Sequence, residues 1–166
     1  MPGFSTTPAF ANIKGKLMND MTFQTGGDWL STTLYNNGAE VLAAQLFVEV
    51  RAGRDEYDNP IRGGIYDGTD LTAIVRPQDN PDNALDILPG KLTLTFPGHE
   101  IVLENYHPMV EPEATRVWYN GEEVTNRVVD VYVDVNAQDD TVKAFVSVYK
   151  PHWISTDEVI TYTIVA

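Results

Sequence analysis

Arg127–Val135 reads RVVDVYVDV, and Thr141–Tyr149 reads TVKAFVSVY. In the first segment Val129, Val131, Val133 and Val135 alternate with Asp130, Tyr132 and Asp134; in the second, Val142, Ala144, Val146 and Val148 share one parity. A β-strand turns successive side chains to opposite sides, so each segment predicts a ribbon with one buried apolar face and one wet face. A one-residue slip in pairing would bury Asp130 and Asp134 and expose the valines, so the register is strongly specified.

The same pattern extends in both directions. Lys91–Phe96 sets Leu92, Leu94 and Phe96 against Lys91, Thr93 and Thr95. Pro97-Gly98 then turns the chain into a strand at His99–Tyr106, with Ile101 and Leu103 facing inward. Thr115–Tyr119 and Glu122–Thr125 flank Asn120-Gly121, the strongest short hairpin signal in the chain. Glu158–Val165 closes the sheet, with Ile160, Tyr162 and Ile164 on one side. Upstream, Trp29–Tyr35 reads as a strand ended by Asn36-Asn37-Gly38. Glu40–Arg51 places Leu42, Ala44, Leu46, Val48 and Val50 on one face, with Phe47 as an apolar exception; this favours a strand over the helix that its propensities would also allow. Ala52–Gly64 is a polar loop, Ile65–Tyr66 and Leu71–Arg76 are short strands around Asp67-Gly68, and Pro89-Gly90 is a turn. Turn signals at this spacing predict an all-β fold, an antiparallel sandwich or small barrel of jelly-roll or immunoglobulin-like kind. Met1–Asp28 is broken by Pro2, Gly3, Pro8 and Gly15 and reads as an extended N-terminal arm, with a short helix possible around Asn12–Asn19. The remainder, 29–166, reads as one β domain.

Composition narrows the function classes. The chain has 166 residues, a net charge of −13 and no cysteine. Nucleic acid and anionic membranes are therefore not expected partners, because both attract basic surfaces. Disulfides, thiolate metal sites and cysteine nucleophiles are excluded. No apolar run has the length of a bilayer span, and the first residues show no basic segment followed by an apolar one, so no secretory signal is expected. The acidity fits a solvated surface, or steering toward a basic partner.

Candidate sites are few. Asp55, Glu56 and Asp58 share a loop, but they match no calcium-binding loop and read as solvated turns. His99, His107 and His152 form no HxH or HxxH pair, so neither a metal nor a cofactor is expected. No serine sits in a nucleophile elbow, so no catalytic residue is assigned. Aromatic residues near turns or in the arm are the candidate partner-binding residues: Phe4, Phe10, Trp118, Tyr119 and Trp153.

Arg116–Asp134, RVWYNGEEVTNRVVDVYVD, followed by a short acidic linker and TVKAFVSVY, resembles small β proteins from tailed-bacteriophage structural gene clusters. The likeness lies in Asn120, Gly121, Glu122, Val124 and Thr125, then in the strand around Asp130 and the strand from Thr141. The resemblance covers only this C-terminal part. It implies a non-enzymatic virion component, most simply a capsid decoration or cement protein bound to the major capsid protein and to further copies of itself, located in the virion. A carbohydrate-binding or adhesin-like module, with Trp118, Tyr119 and Trp153 as a stacking platform, is the competing reading. A hydrolase on a jelly-roll scaffold is a third, for which the residues give no positive sign.

Overall fold

The computed structural model describes residues 18–26, 32–64, 71–86, 88–106, 114–151 and 158–165. Among these, the alternating segments form thirteen strands in two sheets. The first sheet contains β1 (Met18–Gln24), β2 (Thr33–Asn36), β3 (Ala39–Val41), β7 (Leu88–Phe96), β8 (His99–Tyr106), β9 (Ala114–Tyr119) and β10 (Glu122–Glu123). Its order is β10-β9-β8-β7-β1-β2-β3. The second contains β4 (Ala43–Arg51), β5 (Leu71–Pro77), β6 (Leu85–Asp86), β11 (Val128–Asn136), β12 (Thr141–Tyr149) and β13 (Val159–Val165), in the order β13-β12-β11-β4-β5-β6. The pairings are antiparallel except for β1 with β7, which run parallel. The sheets pack face to face as a sandwich, the arrangement that lets each bury its apolar side against the other.

The core is the sum of the inward parities. Phe23, Leu92, Leu94, Ile101, Leu103 and Val117 enter it from the first sheet, and Leu46, Val48, Val50, Val75, Val131, Val133 and Val135 from the second. Burying each such side chain contributes about 1.5–3 kcal/mol. Phe23 and Phe96 meet with ring centroids 5.5 Å apart. At Asn120-Gly121 both residues have positive φ (49° and 85°), the geometry of a turn that matches strand twist.

Four features depart from the plain alternation. Val129 does not join Val131, Val133 and Val135: a bulge between Val128 and Asp130 turns Val128 into the core and leaves Val129 half-buried. Pro89-Gly90 is not a turn. It lies within β7, where the pairing steps from Asn19↔Pro89 to Asp20↔Lys91, so Gly90 is the extra residue, absorbed as a bulge, one of the few settings in which a sheet tolerates proline. The segment Glu40–Arg51 is split at Leu42, which is 64% exposed and marks where the chain leaves the first sheet as β3 and enters the second as β4. Finally, Met18–Gln24, inside the stretch read as an arm, is strand β1, held between β7 and β2. Residues 1–17, the strand expected at Ile65–Tyr66 and the Asp67-Gly68 dipeptide lie outside the described residues, as do 29–31 of the strand expected at Trp29–Tyr35.

Phe23→Ala should therefore destabilise the domain by about 3–5 kcal/mol in a denaturant titration, because β1 supplies core rather than decoration. A loss below about 1 kcal/mol would mean that β1 is peripheral.

Candidate functional site

The outer face of the second sheet carries aromatic side chains where alternation calls for polar ones. Phe47 on β4, Tyr132 on β11 and Phe145 on β12 all have the outward parity of their strands. Cross-strand register then lines them up: Tyr132 lies opposite Phe145, and Phe47 is opposite Asp134, one step along the same face from Tyr132. The Phe47 and Tyr132 rings meet edge to face at 5.5 Å, and the Tyr132 and Phe145 rings stack at 5.3 Å, nearly parallel. Lys143 places its ammonium 5.5 Å from the Tyr132 ring centre. Each ring is half-buried by its neighbours. The three form a row across the middle of a sheet whose other side is the core.

A polar rail borders the row on one side. Arg76 Nε donates to Gln45 Oε1 (2.8 Å), Gln45 Nε2 donates to Asp134 Oδ1 (2.9 Å), and Arg76 Nη1 donates to the Pro81 carbonyl (3.0 Å). This chain ties β5, β4 and β11 together and fixes the ground on which the rings stand. On the other side lies an acid pair, Glu49 and Asp130, with Arg51 and Arg54 nearby. Burial pushes the Asp130 carboxyl up to about 7, the charge and hydrogen bonding of Glu49 push the same way, and Arg51 and Arg54 oppose more weakly. Asp130 Oδ1 and Arg54 Nε are buried without a hydrogen-bond partner.

The loop that follows β4 is built on its own polar contacts. Asp55 Oδ1 accepts from the backbone N–H groups of Tyr57 and Asn59, each at 2.9 Å, so this acidic residue shapes a turn. Tyr149 donates its hydroxyl to the Pro60 carbonyl (2.9 Å), fastening the loop to the end of β12. Among the described residues, no group of three or more His, Asp or Glu side chains is placed to hold a metal ion.

Trp118 and Tyr119 are neighbours on β9, and strand parity sends them to opposite faces. Trp118 lies on the outer face of the first sheet, with the Arg116 guanidinium 4.7 Å from its ring centre. Arg116 also forms a two-pronged bond with Glu123 (3.0 and 3.1 Å), which holds the Glu123 carboxyl below its usual range. A shallow depression of about 290 Å³ beside Trp118 is lined by Lys91, Glu100, Val102 and Glu104. Tyr119 packs against the core and stacks on Tyr162 of β13 at 4.8 Å, with its hydroxyl 2.6 Å from His99 Nδ1. That contact ties the first sheet to the last strand of the second, and burial, then Tyr162, raises the Tyr119 hydroxyl. The structure therefore does not bring Trp118 and Tyr119 onto one surface. Phe4, Phe10 and Trp153 lie outside the described residues. A separate apolar cleft of about 220 Å³ opens at the sheet crossover, between Phe23, Leu34, Leu42, Leu46, Val135 and Gln78.

The row of Phe47, Tyr132 and Phe145 was not among the candidates from sequence. Its signal was present as three aromatics of the wrong parity, of which only Phe47 stood out as an exception. Compared with protein-family models, curated proteins and solved structures, the chain matches none of them.

Asp130 yields a pH prediction with a definite sign. Its raised affinity means that the folded chain keeps a proton that the unfolded chain has lost, so its stabilising contribution is complete below the ordinary carboxylate range and disappears as pH rises through about 7. Asp130→Asn removes that titration. Between about pH 5 and pH 8 the parent should lose melting temperature relative to the variant by on the order of 2–4 °C, a figure reduced for the partial exposure of the group. Parallel melting profiles would contradict the assignment.

Proposed function

We propose that the chain is a non-enzymatic structural component of a virion, a capsid decoration or cement protein that grips the major capsid protein through the outer face of its second sheet. The observation that carries the reading is the ring row of Phe47, Tyr132 and Phe145, stationed on three adjacent strands and braced by the Arg76–Gln45–Asp134 rail. Aromatic side chains fixed in advance lose little freedom on binding, and they are the usual anchors of protein interfaces. The features beneath them suit a part that binds by shape: a core drawn from both sheets and a surface whose net charge of −13 favours basic ground. The resemblance of Arg116–Tyr149 to phage structural proteins points to the same class of partner.

Purified protein should co-sediment with particles of the phage that encodes it, and mass spectrometry of purified virions should find it. Phe145→Ala should weaken that attachment roughly tenfold, while its circular dichroism spectrum stays that of the parent. Absence from virions together with failure to co-sediment would sink the reading.

One observation favours a second reading, a carbohydrate-binding module. The indole of Trp118 is flanked by Lys91, Glu100 and Glu104, which can donate to and accept from sugar hydroxyls. Glycan-array binding that vanishes in Trp118→Ala would favour that reading, and unchanged binding in Phe145→Ala would support it further.

A further inference from the structure

The two sheets of a sandwich have four edges, and this chain treats one of them differently. An open edge presents unpaired N–H and C=O groups, and proteins blunt such edges with short strands, charges, proline or bulges. Three edges follow the rule. The edge strand β10 is two residues, both glutamates; β6 is two residues and contains Asp86; β3 is three residues and contains Glu40. The fourth edge, β13, is seven residues long, contains no charge, glycine or proline, and carries one bulge, at its far end, where the pairing steps from Phe145↔Thr163 to Ala144↔Val165. Among the described residues, no strand pairs with its outer side. Val159 is 45% exposed and Tyr162 is 37% exposed.

The sequence of that edge names its partner. Val159–Val165 reads VITYTIV, the same from either end, with Tyr162 at the centre. We propose that β13 is a self-association edge. A second copy of the chain pairs with it antiparallel across a two-fold axis at Tyr162, joining the two six-stranded sheets into one continuous sheet. In that register the centre meets its own kind, Tyr162 against Tyr162 and Thr161 against Thr163, and Ile160 faces Ile164 and Val159 faces Val165 at the ends, where the bulge at Ile164 bends the strand. A two-fold interface requires one patch to complement itself, and an antiparallel strand of palindromic sequence does so about its centre, here the regular stretch Ile160–Thr163 ahead of the bulge at Ile164.

The backbone phase agrees. Lys150 N–H donates to the Glu158 carbonyl (2.9 Å), and Tyr149 lies opposite Val159, Val148 opposite Ile160, and Val146 opposite Tyr162. Opposed residues in an antiparallel ladder alternate between bonded and unbonded pairs. Ile160 and Tyr162 thus spend their backbone groups on β12, while Val159, Thr161 and Thr163 direct theirs outward. Centring the axis on Tyr162 makes its own pair an unbonded one and makes Thr161–Thr163 a bonded one, as those directions require. Centring it on Thr161 or Thr163 also satisfies the ladder, but it shortens the overlap and sets unlike side chains opposite each other. A two-fold perpendicular to the sheet keeps both outer faces on the same side, so the dimer would present two rows of Phe47, Tyr132 and Phe145 together. The inference stands whatever those rows grip.

Light scattering on the full chain should give twice its 18.5 kDa mass. Thr163→Pro deletes an outward N–H and no bond to β12, so it should return the chain to monomer with an unchanged circular dichroism spectrum. Should proline disturb the strand, Thr163→Lys, which puts on this edge the kind of charge the others carry, should have the same effect. Because the chain has no cysteine, Tyr162→Cys provides a register test without background: it should cross-link to itself under mild oxidation, and Val159→Cys should not. A parent that stays monomeric across a concentration series would overturn the proposal. So would a dimer that survives both Thr163 variants, or self-cross-linking at Thr161→Cys in place of Tyr162→Cys.

Discussion

The pairing of β4 with β11 is the contact on which the rest of the structure depends. Val48 lies opposite Val133, and Leu46 opposite Val135, at the centre of the second sheet and fully or almost fully buried. These strands are brought together from distant parts of the chain, so their contact closes a long loop, an entropic cost that their buried side chains must offset. In the folded sheet β5 lies on one side of the pair and β12 and then β13 on the other, and the inner face presents the wall of Val and Leu against which the first sheet packs. The outer face is fixed by the same pairing, because each inward valine forces its neighbour outward. The ring row, the Arg76–Gln45–Asp134 rail and the Glu49–Asp130 acid pair are all consequences of one register.

That register also explains why a half-buried acid with a raised proton affinity exists in a chain with such an excess of carboxylates. The bulge between Val128 and Asp130 lets Val128 and Val131 both enter the core while Asp130 stays on the outer face. There it meets Glu49, diagonally across from it on β4. Burial on that face is the main reason the Asp130 carboxyl holds a proton, and the neighbouring Glu49 carboxyl pushes the same way. The acid pair is best understood as a product of strand geometry on a surface occupied by aromatic rings.

Much of the fold was legible in the sequence because alternation is local. The valine strands, the Asn120-Gly121 hairpin and the inward positions of Leu92, Leu94, Ile101 and Leu103 follow from parity and turn chemistry alone. What escaped depends on the partner strand. Pro89-Gly90 has the composition of a turn, and only β1 running alongside makes it a bulge. Met18–Gln24 carries too little alternation to announce a strand, and it is held by neighbours on both sides. Leu42 has the right parity for the core, yet it falls where the chain changes sheets. The site was less legible still. Phe47, Tyr132 and Phe145 are far apart in sequence, and each alone looks like a minor exception. Only the register shows that the three exceptions coincide. Trp118 and Tyr119 attracted notice as adjacent aromatics, and adjacency on a strand is what separates them.

The dependence on the β4–β11 ladder is most directly tested by native-state amide hydrogen exchange resolved by residue. The account predicts that the amides of Val48 and Val133 exchange only through global unfolding, with the slowest rates in the molecule, while those of the edge strand β10 exchange through local opening. Val48 and Val133 exchanging as fast as the amides of β10, or earlier than those of the first sheet's β7 and β8, would contradict it.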